Sequence, residues 1–217
     1  MASSAAPDSS SLSEQAYRVL EDQLVTLALP PGSMVSEGQL IDLTGLGRTP
    51  VREAMLRLAD QKLFRVLPRR GLLVTPLSRT DMQHVLEARK SLERMIVYRA
   101  ALNARDEQRS SISSIARAMS ITHDNFEEFL RLENELDVLL DACAGNPFAS
   151  SAVAPMRSHC RRLRYYFRHR MQLAETISVH SQMARLVARR DYTGAQKAAD
   201  GVIAVMERLA SSIERGT

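Results

Sequence analysis

The chain has 217 residues, 45% of them apolar, with 9 Gly, 8 Pro and no Trp. This composition is ordinary for one large or two modest folded domains and argues for long helices rather than a turn-rich β architecture. The formal charge of +4 is too mild to identify a nucleic-acid binder, so the placement of charge along the chain carries the argument.

Residues 1–11, MASSAAPDSSS, have neither a basic start nor an apolar run, and read as a disordered tail rather than a signal peptide. A first helix is expected over 12–29, where Ala16, Val19, Leu20, Leu24 and Leu27 recur at helical spacing. Leu29-Pro30-Pro31-Gly32 closes it. Ser36 is placed to cap a second helix carrying Leu40, Ile41 and Leu43, which stops near Gly45. After four residues a third helix begins, with Pro50 in its first turn and Val51, Met55 and Leu58 on one face beside Ala54. Helix, short Gly-containing turn, helix is a helix-turn-helix pattern. Two β-compatible runs, 63–67 and 72–75, flank Pro68-Arg69-Arg70-Gly71 and predict a hairpin, completing a winged helix. Charge changes sign here. Residues 12–46 hold Arg18 against Glu14, Glu21, Asp22, Glu37 and Asp42, whereas 47–71 hold Arg48, Arg52, Arg57, Lys62, Arg65, Arg69 and Arg70 against Glu53 and Asp60.

Beyond Pro76 and Ser78 only helical patterns follow, expected over 81–102, 106–120, 126–144, 148–171, 176–190 and 194–213. The expected organisation is therefore a tail (1–11), a winged helix-turn-helix (12–76) and an all-α bundle (77–217), mainly α overall. Cys143 and Cys160 match no metal or CxxC spacing and read as buried free thiols of a reducing cytosol. No stretch is long and apolar enough to span a bilayer.

Arg48 and Arg52 lie one turn apart at a helix N-terminus, where the dipole and unpaired N–H groups favour phosphate. A guanidinium there can also donate to guanine O6 and N7 in the major groove. Glu53 and Arg57 have the spacing of an ordinary surface pair.

EGQLIDLTGLGRTPVREAMLRLADQKLF followed by LPRRGLLVTPL resembles the DNA-binding domain of GntR-type bacterial transcriptional regulators. LEARKSLERMIVYRAA (86–101), AGNP (144–147) and His180 before DYTGAQKAA (191–199) resemble the effector-binding domain of the FadR-like, or FCD, subfamily. The resemblance implies Arg48 and Arg52 on bases or phosphate, Thr49 on phosphate, and Arg70 and Gly71 at the wing tip. One departure is Gly47, where the family usually has a capping Ser or Thr. Another is Gly38, where relatives often carry Arg or another polar residue.

The resemblance also implies a divalent metal of the zinc, nickel or manganese class. Counted back from AGNP, its ligand positions hold Glu133 and Asp137, then His180, while the fourth holds Val202, which cannot ligate. The alternative is a metal-free pocket in which these groups meet an effector or water. Arg89 aligns with the family's pocket arginine, to pair with an effector carboxylate, with Glu133, or with Glu93 one turn away. In 156–170 the residues Met156, Cys160, Leu163 and Phe167 form a core stripe beside Arg157, Arg161, Arg164 and Arg168. That second stripe, with no acid in the segment, reads as an anion-facing wall, a dimer edge or a solvated face; the solvated or intra-bundle reading is preferred, with Arg164 as the pocket-facing choice.

The expectation is a cytoplasmic, homodimeric, ligand-responsive regulator, a repressor by preference, on a near-palindromic double-stranded DNA operator. Its effector would be a small carboxylate-containing metabolite, and no membrane is involved. The competing readings are a DNA-binding protein whose helical domain only dimerises, and a metal-dependent hydrolase. The hydrolase lacks a nucleophile or oxyanion motif, so a non-enzyme is expected.

Overall fold

The computed structural model describes residues 11–213 and divides into two compact units, one through Pro76 and one from Leu77. The tail expected over 1–11 lies outside the described residues except for Ser11, whose hydroxyl accepts the Glu14 N–H and caps the first helix.

The first unit contains α1 (Leu12–Val25), β1 (Met34–Val35), α2 (Glu37–Thr44), α3 (Arg48–Asp60), β2 (Phe64–Leu67) and β3 (Gly71–Val74). α1 stops short of the expected Leu29. The Thr26 hydroxyl turns back to donate to the Asp22 carbonyl at 2.7 Å, and Leu27 takes a left-handed φ of 67°, so the chain has turned before the prolines arrive. α2 starts on a capping box. The Ser36 hydroxyl accepts from the Gln39 N–H while the Gln39 side chain accepts from the Ser36 N–H. Gly45, left-handed at φ 66°, ends it.

The sheet has the order β1-β3-β2, all antiparallel. β1 is a correction to the two-stranded reading: two residues show no alternation, and the strand exists because Met34 and Val35 pair with Leu73 and Leu72. One apolar core joins Leu20 and Leu24 of α1 to Leu40, Val51, Leu58, Phe64 and Val74. Each such burial contributes about 1.5–3 kcal/mol, which fixes the pose of α3 against its neighbours.

The second unit contains α4 (Arg79–Asn103), α5 (Asp106–Ser120), α6 (Phe126–Ala144), α7 (Pro147–Tyr166), α8 (Leu173–Ala188) and α9 (Tyr192–Ser211). α4 packs against α6, α7, α8 and α9, so it is buried on more than one side. Its Ile96 and Ala100 join a cluster with Ile112, Phe129, Leu136 and Val187. Its Met82 and Leu86 join another with Leu163, Phe167, Ile203 and Met206. Between these two stretches of α4 lie Arg89 and Glu93, both buried. α7 ends at Tyr166 rather than Met171, because Phe167 starts a turn whose carbonyl accepts from both the Arg170 and Met171 N–H groups. α9 begins ahead of Gly194, whose N–H is capped by the Asp191 carboxylate at 2.8 Å. Among the described residues no helix is long and apolar enough to cross a membrane. Cys143 and Cys160 are buried free thiols.

Candidate functional site

The short turn after α2 aims the N-terminus of α3 outward. Gly47 stands at the cap position and supplies no side-chain hydrogen bond, so the first N–H groups of α3 stay open to an external acceptor. Arg48 and Arg52 are 72% and 59% exposed, and Thr49 beside them is exposed as well. Both arginines converge on Glu37, the first residue of α2. Arg52 Nε donates to the two Glu37 oxygens at 2.9 and 3.0 Å, and Arg48 Nε lies 3.2 Å from Oε1. The sequence reading missed Glu37; its only visible signal is an isolated acid just after the Ser36 cap.

At the wing, Arg69 and Arg70 are exposed in the β2–β3 turn. Gly71 has φ +100°, and a Cβ there would sit 2.8 Å from the Val35 carbonyl oxygen. Glycine is thus required by the approach of β1 inside the protein, a reason the resemblance did not offer. The expected Glu53–Arg57 pair is not formed. Arg57 reaches instead to Glu14 on α1 at 2.7 Å and stacks over the Tyr17 ring, while Glu53 accepts from Ser13. Arg57 therefore ties α3 to α1.

In the helical unit the predicted residues fall into one buried ionic cluster spanning four helices. Arg89 forms the one-turn pair on α4, its Nε donating to Glu93 at 3.0 Å. Glu93 also accepts from Arg157 Nε and Nη2 at 2.9 and 3.1 Å. Arg157 Nη1 donates to Asp141 at 2.9 Å, and its Nε lies 3.5 Å from Asp137. Arg164 Nη1 donates to both oxygens of Glu133, 2.6 Å from Oε2. The His180 ring completes the group. Its Nδ1 is 2.7 Å from the Thr176 carbonyl, which can only accept, so Nδ1 carries hydrogen. Nε2 then lies between Arg164 Nη2 at 3.4 Å and Glu133 at 3.1 Å.

The charges tune one another. Burial opposes ionisation of Glu93, but Arg157 and Arg89 outweigh it and hold the carboxyl below its usual range. Burial likewise opposes ionisation of Glu133, and Arg164 and His180 overcome it. Asp137 goes the other way. Burial, with Glu93 and Glu133 nearby, pushes it up to about 6 against the pull of Arg157 and Arg89. Of the arginine stripe, Arg157 and Arg164 on α7 are buried and paired and Arg161 is partly exposed, while Arg168, beyond the end of α7, is exposed; Arg162, outside the stripe, is buried too.

The expected metal does not fit these residues. Among the described residues no three His, Cys, Asp or Glu side chains gather into a ligand set. Glu133 and His180 meet, but Asp137 faces Arg157, and Val202 lies in the apolar core. The Glu133 oxygens and His180 Nε2 that would ligate a cation already face the Arg164 guanidinium. A divalent ion at those atoms would sit beside a fixed positive charge, a repulsion of several kcal/mol in a protein interior.

Two family models match the chain: bacterial regulatory proteins of the gntR family over residues 12–74, and the FCD domain over residues 84–205. The HTH-type transcriptional repressor RspR of Escherichia coli K12 is 24% identical over 190 residues, covering 86% of this chain and 83% of that protein. An HTH-type regulator of Agrobacterium vitis is 34% identical over 87 residues, 40% of this chain; the match spans about half, 51%, of the relative's length. Among solved structures, E. coli McbR/YncC superposes with a TM-score of 0.79 at 19% identity, covering 92% of this chain and 98% of that one. A GntR regulator from Rhodococcus gives 0.74 at 14% identity, covering 95% and 100%. At those identities the structures speak for the fold.

Proposed function

The chain belongs to the GntR family, as a DNA-binding transcriptional regulator with an FCD effector-binding domain, and from that premise we propose that it is a dimeric, ligand-responsive repressor acting in the cytoplasm. Each α3 enters the major groove end-on at one half of a near-palindromic operator. Arg48 and Arg52 contact bases or phosphate, Thr49 contacts phosphate, and Arg70 with Gly71 brings the wing to the minor groove. The carrying observation is the pair of exposed guanidiniums at the open, uncapped N-terminus of α3. The helical unit dimerises and takes a small organic acid, which releases the operator by favouring one placement of the DNA-binding heads. Repression is favoured by the name of the RspR relative. The protein acts by binding and catalyses nothing.

Operator fragments selected from a random duplex library, followed by gel shift, test this reading. Arg52→Ala should weaken binding about tenfold or more; unchanged affinity overturns it. A second reading, in which the helical unit only dimerises, is favoured by the internal pairing of Arg89 with Glu93 and of Arg164 with Glu133. Failure of any organic acid to bind would select it.

A further inference from the structure

Two cavities of about 370 and 380 Å³ lie along the seam where α5 and α8 pack together. Both are lined by Arg185, and neither takes a residue from the buried ionic cluster. Each falls within the roughly 300–1,000 Å³ typical of small-molecule sites.

The first cavity is cationic. Arg109 of α5, Arg185 of α8 and Arg189 just past the end of α8 line it, with the hydroxyls of Ser110 and Ser113 beside them. Its apolar share is the methyl of Ala188, so a hydrocarbon body would gain little from burial there. Arg109 is partly set in advance. Its Nε donates to the Ala188 carbonyl at 2.7 Å, which holds the guanidinium at the end of α8 and lessens the ordering that binding would impose. The opposing acid is Asp106, whose side chain is 87% exposed and meets Arg109 at 2.9 Å from three residues away. An exposed pair of this kind is worth about 0.2–1 kcal/mol, so a multiply charged anion can displace it. Three guanidiniums with hydroxyl donors among them and almost no apolar wall match phosphate oxygens better than a carboxylic acid with a carbon skeleton.

The second cavity is mixed. Ala174 and Ile177 give it an apolar side, Ser120 and Ser178 give it hydroxyls, and His123 gives it an imidazole. Asp124 also lines it and would repel an anionic group, which sets a direction: charge toward Arg109 and Arg189, neutral body toward His123. Arg185 joins the two halves, reaching from α8 to donate to the Ser120 hydroxyl of α5 at 3.3 Å.

We infer that the α5–α8 groove binds a phosphorylated metabolite of the nucleotide class, its oligophosphate on Arg109, Arg185 and Arg189 and its uncharged body in the adjoining cavity. This is a second ligand site, and it stands whether or not the helical unit also takes an organic acid.

Tripolyphosphate, ATP and adenosine are the probes, with citrate as a carboxylate of comparable charge, titrated calorimetrically into the full-length protein in metal-free buffer at low ionic strength. ATP should bind most tightly, tripolyphosphate less so, and citrate and adenosine at least about tenfold more weakly than ATP. Arg185→Glu and Arg189→Glu, both at exposed positions, should melt at the parent temperature and each weaken ATP about tenfold or more. Arg168→Glu makes the same change of charge outside the groove and should leave ATP affinity as it is. ATP held equally well by both groove variants, or weakened as much by Arg168→Glu, overturns the location. ATP lost in Arg52→Ala but kept in Arg185→Glu places the anion on α3 and also overturns it. Citrate bound as tightly as ATP overturns the phosphate class, and tripolyphosphate bound as tightly as ATP overturns the role of the second cavity. A parent that takes none of the probes overturns the inference as a whole, while organic-acid sensing and DNA binding are decided by their own experiments.

Discussion

Glu37 holds the two DNA-facing arginines, so Glu37→Gln should release them. At 2.9 and 3.2 Å each guanidinium gains about 1.4 kcal/mol from the carboxylate by Coulomb's law in water. Both arginines are more than half exposed and Glu37 is 27% exposed, so solvent reduces each pair to about 0.2–1 kcal/mol. Phosphate must displace this carboxylate. Neutralising it should therefore tighten binding to random-sequence duplex by about twofold to thirtyfold at low salt. The salt dependence should also steepen, by up to about 0.9 in log–log slope for each further phosphate that the freed arginines neutralise. Fluorescence anisotropy on a labelled random duplex across a salt series measures both quantities. The preference for a selected operator should fall at the same time, because a carboxylate that grips Arg52 through both oxygens also fixes where that guanidinium points. If the variant binds random duplex no more tightly than the parent at the lowest salt, Glu37 is not a competitor for DNA phosphate and the reasoning fails.

Gly47→Ser has room for its side chain, since the nearest atom to an added Cβ is Pro50 Cδ at 4.0 Å; it should raise DNA affinity about threefold to tenfold through one neutral hydrogen bond, with no change in salt slope in the same anisotropy assay. Gly71→Ala forces a methyl to 2.8 Å from the Val35 carbonyl at φ +100°, and should cost the winged unit about 2 kcal/mol, read as a lower denaturant midpoint. Asp137→Asn tests the raised carboxyl. The folded protein keeps a proton up to about pH 6 that the unfolded chain releases near 4, so this group's stabilisation is full below about pH 4 and is lost as pH climbs through 6. The variant should match the parent near pH 4 and exceed it by about 2 kcal/mol at about pH 7.5; a pH-independent difference in denaturation free energy would reject the assignment. Glu93 and Glu133, held low, act in the opposite sense below about pH 4, and comparing variant with parent cancels them.

Much of this architecture is legible from spacing because local chemistry punctuates it. α5 and α6 begin and end where the sequence places them; Asn125 and Gly145 cap α6 in the ways their side chain and φ allow. Where a boundary depends on a single back-turned hydroxyl, as at Thr26, or on a turn with no Gly or Pro, as after Tyr166, helical periodicity overruns it. β1 is invisible because only its partner strand creates it. In the candidate site, Arg48 and Arg52 are readable from their place on the helix. Their partner Glu37 is not, since it arrives from another helix 15 residues away. The same holds in the bundle. The three- and four-residue spacing of the arginines from Arg157 to Arg168 is plain, but which of them is buried depends on Glu93 and Glu133, contributed by α4 and α6. Burial of an arginine is a decision taken by its partners.

The Glu133–Arg164 contact joins two helices through residues 31 positions apart, and this constrains how the sequence can drift. Loss of either member strands a buried charge, at about 3–5 kcal/mol, whereas exchanging both for apolar residues of similar volume is close to neutral. A lineage can leave this state by two near-simultaneous changes, or by first acquiring a substitute cation at the same spot. Among homologous chains the two positions should therefore change together, and a chain that keeps the acid without the arginine should carry another positive charge there, from a side chain or from a bound ion.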